Sequence, residues 1–99
     1  MAISLADFKE YRLNQEALQI ANCESSLIPD VVVQDDGGSP RLGMFQFKTA
    51  TYEWMGEKFN LPHTDPQNYL EAREIYKAAR RAGIAKNHWV NCFRKLKLI

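Results

Sequence analysis

Few of the familiar chemical signatures are present in this chain. Residues 1–11 are interrupted by Asp7, Lys9 and Glu10, so they form neither a secretory leader nor a membrane span. If the protein is exported, its signal has been removed or replaced. There is no phosphate-binding glycine loop, dinucleotide fingerprint or EF-hand loop. No serine lies in a nucleophile-elbow motif. These absences leave no cofactor to expect. The only cysteines are Cys23 and Cys92, without CxxC spacing, and on count alone they are equally compatible with one long-range disulfide or two buried thiols. With His63 and His88 they supply the atom types of a tetrahedral zinc site, and His88 to Cys92 has usable helical spacing. Cys23 and His63 have no paired partner, so no metal centre is expected. Internal repeats and low-complexity linkers are also missing. With 99 residues, of which 45% are apolar, residues 1–99 read as one domain burying about 60–65% of its unfolded surface.

The net charge of +1 hides an asymmetry: residues 1–72 carry five basic and eleven acidic side chains, and residues 73–99 carry eight basic and one acidic. A C-terminal third of about +7 is suited to an anionic polymer, whether an acidic cell-wall glycan, a nucleic acid or a lipid surface, or else is a solvated helix face. Aromatic residues among these cations are limited to Trp89 and Phe93, too few to favour single-stranded nucleic acid.

Ser4-Leu5-Ala6-Asp7 resembles a capping box and predicts a short first helix with Leu5 and Phe8 inward. A second helix is predicted from about Asn14 to Ser25. Beyond Pro29, the β-branched run Val31-Val32-Val33 and the turn residues Asp35-Asp36-Gly37-Gly38 predict an irregular hairpin over 31–47. A third helix starts at Lys48 or Thr49, with Tyr52, Met55 and Phe59 at core spacing. Asp65-Pro66 reads as the N-cap and first position of the longest helix, which Gly83 ends. Asn87 is predicted to cap a final helix carrying His88, Trp89 and Cys92. The fold class is therefore α+β, mostly helical with a short irregular hairpin.

One residue breaks the pattern. Ala17, Ile20 and Ala21 precede Glu24 by seven, four and three residues, which places a carboxylate on the apolar stripe of its helix. Glu24 also falls in the last turn, where the negative end of the helix dipole disfavours an anion by about 0.3–1 kcal/mol. Both placements raise its pKa, as general-acid catalysis of glycoside cleavage requires. Downstream, Gly43 allows close approach of a ligand or of the Glu24 helix, and Gln46 offers both a donor and an acceptor to sugar hydroxyls or an N-acetyl group. Asp35 and Asp36, eleven and twelve residues past Glu24, are the near candidates for a second carboxylate, although Asp-Gly also serves simple turn chemistry.

Cys23-Glu24-Ser25-Ser26, Gly37-Gly38-Ser39-Pro40, Gly43-Met44-Phe45-Gln46-Phe47, Thr51-Tyr52 and His88-Trp89 with Cys92 together resemble the compact lysozyme-like domains related to lytic transglycosylases and resuscitation-promoting factors, over roughly residues 16–93. The resemblance implies a lysozyme-like fold with Glu24 as the catalytic acid. It places Gly43, Met44 and Gln46 along the sugar cleft, with Thr51, Tyr52 and Ser26 as further substrate contacts. Tyr52 stands where the family usually has Trp, and the Asn-Ala-Gly type motif of larger lytic transglycosylases is missing. Similar short domains carry a paired cysteine set, which implies a Cys23–Cys92 disulfide and an oxidising, extracytoplasmic setting such as a secreted, cell-envelope or phage-associated one. Trp89 is then expected as a core plug beneath the cleft.

The function implied is cleavage of the β-1,4 bond between N-acetylmuramic acid and N-acetylglucosamine in peptidoglycan, by a lytic transglycosylase using one Glu or by a muramidase. A monomer is expected, with the glycan strand as its partner and without nucleic acid. The alternatives are a non-catalytic glycan- or partner-binding module on the same fold, and a nucleic-acid-binding domain using the basic C-terminal helices. The latter leaves Glu24 and the Gly43-to-Gln46 segment unexplained.

Overall fold

The computed structural model describes residues 3–28, 30–34 and 39–99; Asp35 and Asp36 lie outside them. Among the described residues, five helices, α1 (Leu5–Ser25), α2 (Thr49–Phe59), α3 (Tyr69–Arg81), α4 (Ala85–His88) and α5 (Val90–Lys95), accompany a small sheet of β1 (Val32–Val33), β2 (Arg41–Leu42) and β3 (Phe47–Lys48). The α+β class holds, with one more strand than a hairpin. The sheet is an antiparallel meander in the order β1-β2-β3, with Val32 opposite Leu42 and Leu42 opposite Phe47.

The two N-terminal helices predicted from sequence are one continuous 21-residue helix. No proline or glycine interrupts residues 5–25, so nothing breaks the backbone ladder. Ser4 caps the helix, its hydroxyl accepting from the Asp7 N–H at 3.1 Å. Leu5 and Phe8, expected inward, are exposed. The first turns of α1 border an open groove of about 1030 Å³ together with Arg80, Arg81 and Leu98, and the molecule measures 50 × 29 × 23 Å. At its other end α1 stops where Ser26 and Leu27 adopt left-handed conformations, and the Ser26 N–H donates to the Asn22 carbonyl at 2.9 Å.

Two further helix boundaries differ from expectation. Asp65-Pro66 does not open α3; Asp65 forms a turn, its carboxylate accepting from the Gln67 N–H, and Asn68 is the cap, accepting from the Glu71 N–H at 3.0 Å. The C-terminal helix is split at Trp89 into α4 and α5, with Asn87 inside α4 rather than capping. Trp89 is buried, and its indole donates to the Phe45 carbonyl at 2.8 Å, which fixes the bend. Gly83, with φ of +78°, follows the end of α3 as predicted.

The core is aromatic. Phe45 stacks on Tyr76 and Tyr69 with centroids 5.4 and 5.6 Å away, and Trp89 meets Tyr76 and Phe47 edge-on at 5.0 and 5.2 Å. Cys23 at the end of α1 is joined to Cys92 of α5 by a disulfide. α1 and α3 share apolar core residues and are also joined by hydrogen bonds and ion pairs. Glu16 accepts from the Tyr76 hydroxyl at 2.7 Å and from Arg80 at 2.6 Å. The Lys77 ammonium, 2% exposed, pairs with Glu10 and, at 3.0 Å, with Glu74. Arg81 also reaches Glu10, at 2.6 Å. Three cations of the basic C-terminal third therefore neutralise acids on α1 and α3.

Candidate active site

Glu24 is the penultimate residue of α1 and is half-buried, as its place on the apolar stripe requires. Loss of solvation pushes its carboxyl above the ordinary range, and the positive charge of Arg41, on the facing β2, pulls part of the way back. The carboxyl borders a groove of about 580 Å³ whose walls include Arg41, His88, Asn91, Lys95 and the disulfide. Arg41 and His88 also border an adjoining hollow of about 220 Å³, which continues past Gln46, Thr51 and Asn87. Arg41 and His88 are shared by the two hollows, which at this end of the molecule together make up a furrow. Glu24 is the only carboxylate along it among the described residues.

Of the residues expected in the cleft, Gln46 and Thr51 line this furrow. Gln46 is held unusually. It is 7% exposed, has φ of +57°, and both its backbone N–H and its side-chain amide donate to the Gly43 carbonyl, at 3.1 and 2.9 Å. A left-handed non-glycine residue stores of the order of 1 kcal/mol of strain, which the surroundings must hold in place. The tight turn from Gly43 to Gln46 does this, directing Phe45 into the core and Gln46 to the furrow.

The other expected contacts lie elsewhere. Tyr52 is a core residue, 2% exposed, whose hydroxyl donates to Glu71 at 2.7 Å and to the Asp65 carbonyl at 3.3 Å. Burial first, and then the Glu71 carboxylate, push its phenol far above the usual range. It braces α2 against α3, consistent with its helical spacing beside Met55, and does not face the furrow. Gly43 makes a close approach, but to the segment before α3 rather than to the Glu24 helix: a Cβ there would lie 2.3 Å from the Pro66 carbonyl oxygen. Met44 packs half-buried against the core, and Ser26 is exposed at the helix end; neither borders the furrow. The possible second carboxylates Asp35 and Asp36 fall outside the described residues.

Sequence reasoning missed Arg41, Asn91, Lys95 and Trp54 as site residues; it included His88 in the lysozyme-like resemblance and weighed it as a metal ligand, but did not place it in the cleft. The signal for Trp54 was readable, because it falls off the Tyr52–Met55–Phe59 core stripe of α2. It is 49% exposed and one turn beyond Thr51, with its ring centroid 6.3 Å from that of His88. The zinc donor types are not assembled: Cys23 and Cys92 are bonded to each other, and no cluster of metal-ligating side chains occurs among the described residues. No helix among them is long and apolar enough to cross a membrane. Comparison with known proteins finds no matching family model, curated protein or solved structure.

Proposed function

We propose that this chain is a peptidoglycan-cleaving glycosidase of lysozyme-like architecture, acting on the β-1,4 bond between N-acetylmuramic acid and N-acetylglucosamine as a lytic transglycosylase. The observation that carries the reading is Glu24: a half-buried carboxyl with a raised pKa, at a helix end, open to a furrow with no second carboxylate among the described residues. Burial favours the protonated form of the group, the form that a general acid supplies. Glu24 donates its proton to the glycosidic oxygen as the C1–O bond breaks, and the leaving sugar departs as an alcohol. The resulting carboxylate is stabilised by the charge of Arg41 and faces an oxocarbenium-like C1. It then takes the proton of the C6 hydroxyl while O6 closes onto C1. The product is a 1,6-anhydro sugar, Glu24 is protonated again, and no water is consumed. Gln46, held by its turn, presents its amide edge to the saccharide, with Thr51 beside it.

The disulfide supports an oxidising, extracytoplasmic setting for this chemistry. The nucleic-acid reading loses weight because Lys77, Arg80 and Arg81 already pair with carboxylates of α1 and α3. A non-catalytic glycan-binding module would use the same furrow. The two readings separate on one substitution. Glu24→Gln is near-isosteric and cannot deliver a proton, so the variant should fold, bind cell walls and fail to clear them. Clearance at the parent rate would remove Glu24 from the chemistry.

A further inference from the structure

α2 borders the furrow at Thr51. α2 places Thr51 on its wall and Trp54 one turn further along the same face, while Tyr52, Met55 and Gly56 turn into the core. Trp54 is 49% exposed, whereas Trp89, the chain's other tryptophan, is 4% exposed. A single exposed indole is unremarkable by itself, but this one has ordered neighbours. The His88 ring lies 6.3 Å away, tilted by 38°. Lys58, one turn further along α2, holds its ammonium 5.6 Å from the centre of the indole. His88 itself borders both hollows, so Trp54 sits beside the furrow through its contact with the His88 ring. Loss of solvation pushes the His88 imidazole below its usual pKa, which favours the neutral ring.

We propose that Trp54 and His88 form an aromatic shelf that receives a pyranose ring of the glycan on the side of the furrow away from Glu24. The apolar C–H face of a hexosamine lies across the shelf, while Asn87, Gln46 and Thr51 meet its polar edge. The shelf binds a sugar remote from the bond being cleaved, and so holds the strand in register over Glu24. This rests on the glycosidase reading for the identity of the strand but not for the presence of a saccharide site.

The test uses the Glu24→Gln protein, so that the strand is not consumed, and soluble glycan strands freed from peptidoglycan by amidase digestion. Binding should shift tryptophan emission to the blue and protect it from acrylamide quenching, because Trp54 becomes covered and Trp89 already is. Adding Trp54→Ala should abolish that signal and weaken binding by about tenfold, measured by calorimetry. Adding Trp54→Phe, which keeps an aromatic face, should retain most of the affinity. All three proteins should give the same near-ultraviolet circular dichroism from the buried aromatic core, apart from the loss of one exposed indole. Equal affinity for the strands with and without Trp54, or binding that leaves Trp54 open to the quencher, would overturn the shelf while leaving wall lysis by the parent intact. Conversely, Trp54-dependent binding by a parent protein that never cleaves walls would uphold the shelf and overturn the glycosidase reading.

Discussion

Glu24 draws its chemistry from a position where a side chain of similar length without charge would be more stable. Because its folded pKa is raised by burial, the native state is disfavoured as pH rises from the ordinary carboxyl value of 4.5 through the higher folded value. Glu24→Gln is therefore expected to melt higher than the parent at neutral and alkaline pH, with the difference closing below 4.5, as thermal unfolding across pH would record. If Glu24 is the general acid proposed, wall clearance should fall as pH rises through its raised pKa, since only the protonated acid begins the proposed cycle. A second residue-level expectation concerns Asn14. Its amide oxygen is buried without a hydrogen-bond partner among the described residues. Asn14→Leu, with the same number and branching of side-chain heavy atoms and a better helix former, should raise stability by about 1 kcal/mol in denaturant titrations.

At the scale of elements, the turn from Gly43 to Gln46 and the disulfide hold the furrow together. Gly43→Ala meets two penalties, a positive φ of +75° and a Cβ 2.3 Å from the Pro66 carbonyl oxygen. A loss of at least about 2 kcal/mol is expected in chemical denaturation, with Gln46 displaced from the furrow. The disulfide closes a sequence separation of 69, so replacing both cysteines with serine should cost about 4 kcal/mol by the chain-entropy model, and the same melt under reducing conditions should reproduce the loss. Much of this level was legible in the sequence. Val31 to Val33, the core spacing of Tyr52 and Met55, Gly83 after α3, and the inward-facing Glu24 each follow from local residue chemistry. What was not legible depended on distant contacts. The bend at Trp89 is set by the Phe45 carbonyl, and Leu5 and Phe8 are exposed because, among the described residues, no element packs across the start of α1. Tyr52 points to Glu71 because α3 supplies a carboxylate 19 residues away. Arg41 entered the site only once β2 was folded beside the end of α1, a pairing that no spacing rule encodes.

On the scale of the whole molecule, charge divides between stability and function. Glu10 and Glu71 carry lowered pKa values, Glu10 chiefly through its hydrogen bond with Lys77. At Glu71 burial alone would raise the carboxyl, but hydrogen bonds from the Asp65 N–H, the Tyr52 hydroxyl and Thr64 together bring it below the ordinary range. The sign for both is opposite to that of Glu24. Their stabilisation is present above the ordinary value of 4.5 and is lost as pH falls through the lower folded values. Melting followed from neutral to acid pH should show a decline below 4.5, less marked in a Glu10→Gln variant that has already lost its share. On the proposed reading, wall clearance is therefore confined to a window between the acid edge set by the α1–α3 and Tyr52–Glu71 contacts and the alkaline edge set by Glu24. Within that window, mass spectrometry of the soluble fragments released from purified peptidoglycan is the most direct test of the central claim. A single carboxylate passing its proton to the leaving oxygen and recovering it from the C6 hydroxyl should leave muramic acid ends in the anhydro form, lighter by one water than hydrolysed ends, with the Glu24→Gln protein releasing none. The absence of glycan fragments from the parent digest, or fragments ending only in hydrolysed muramic acid, would contradict it.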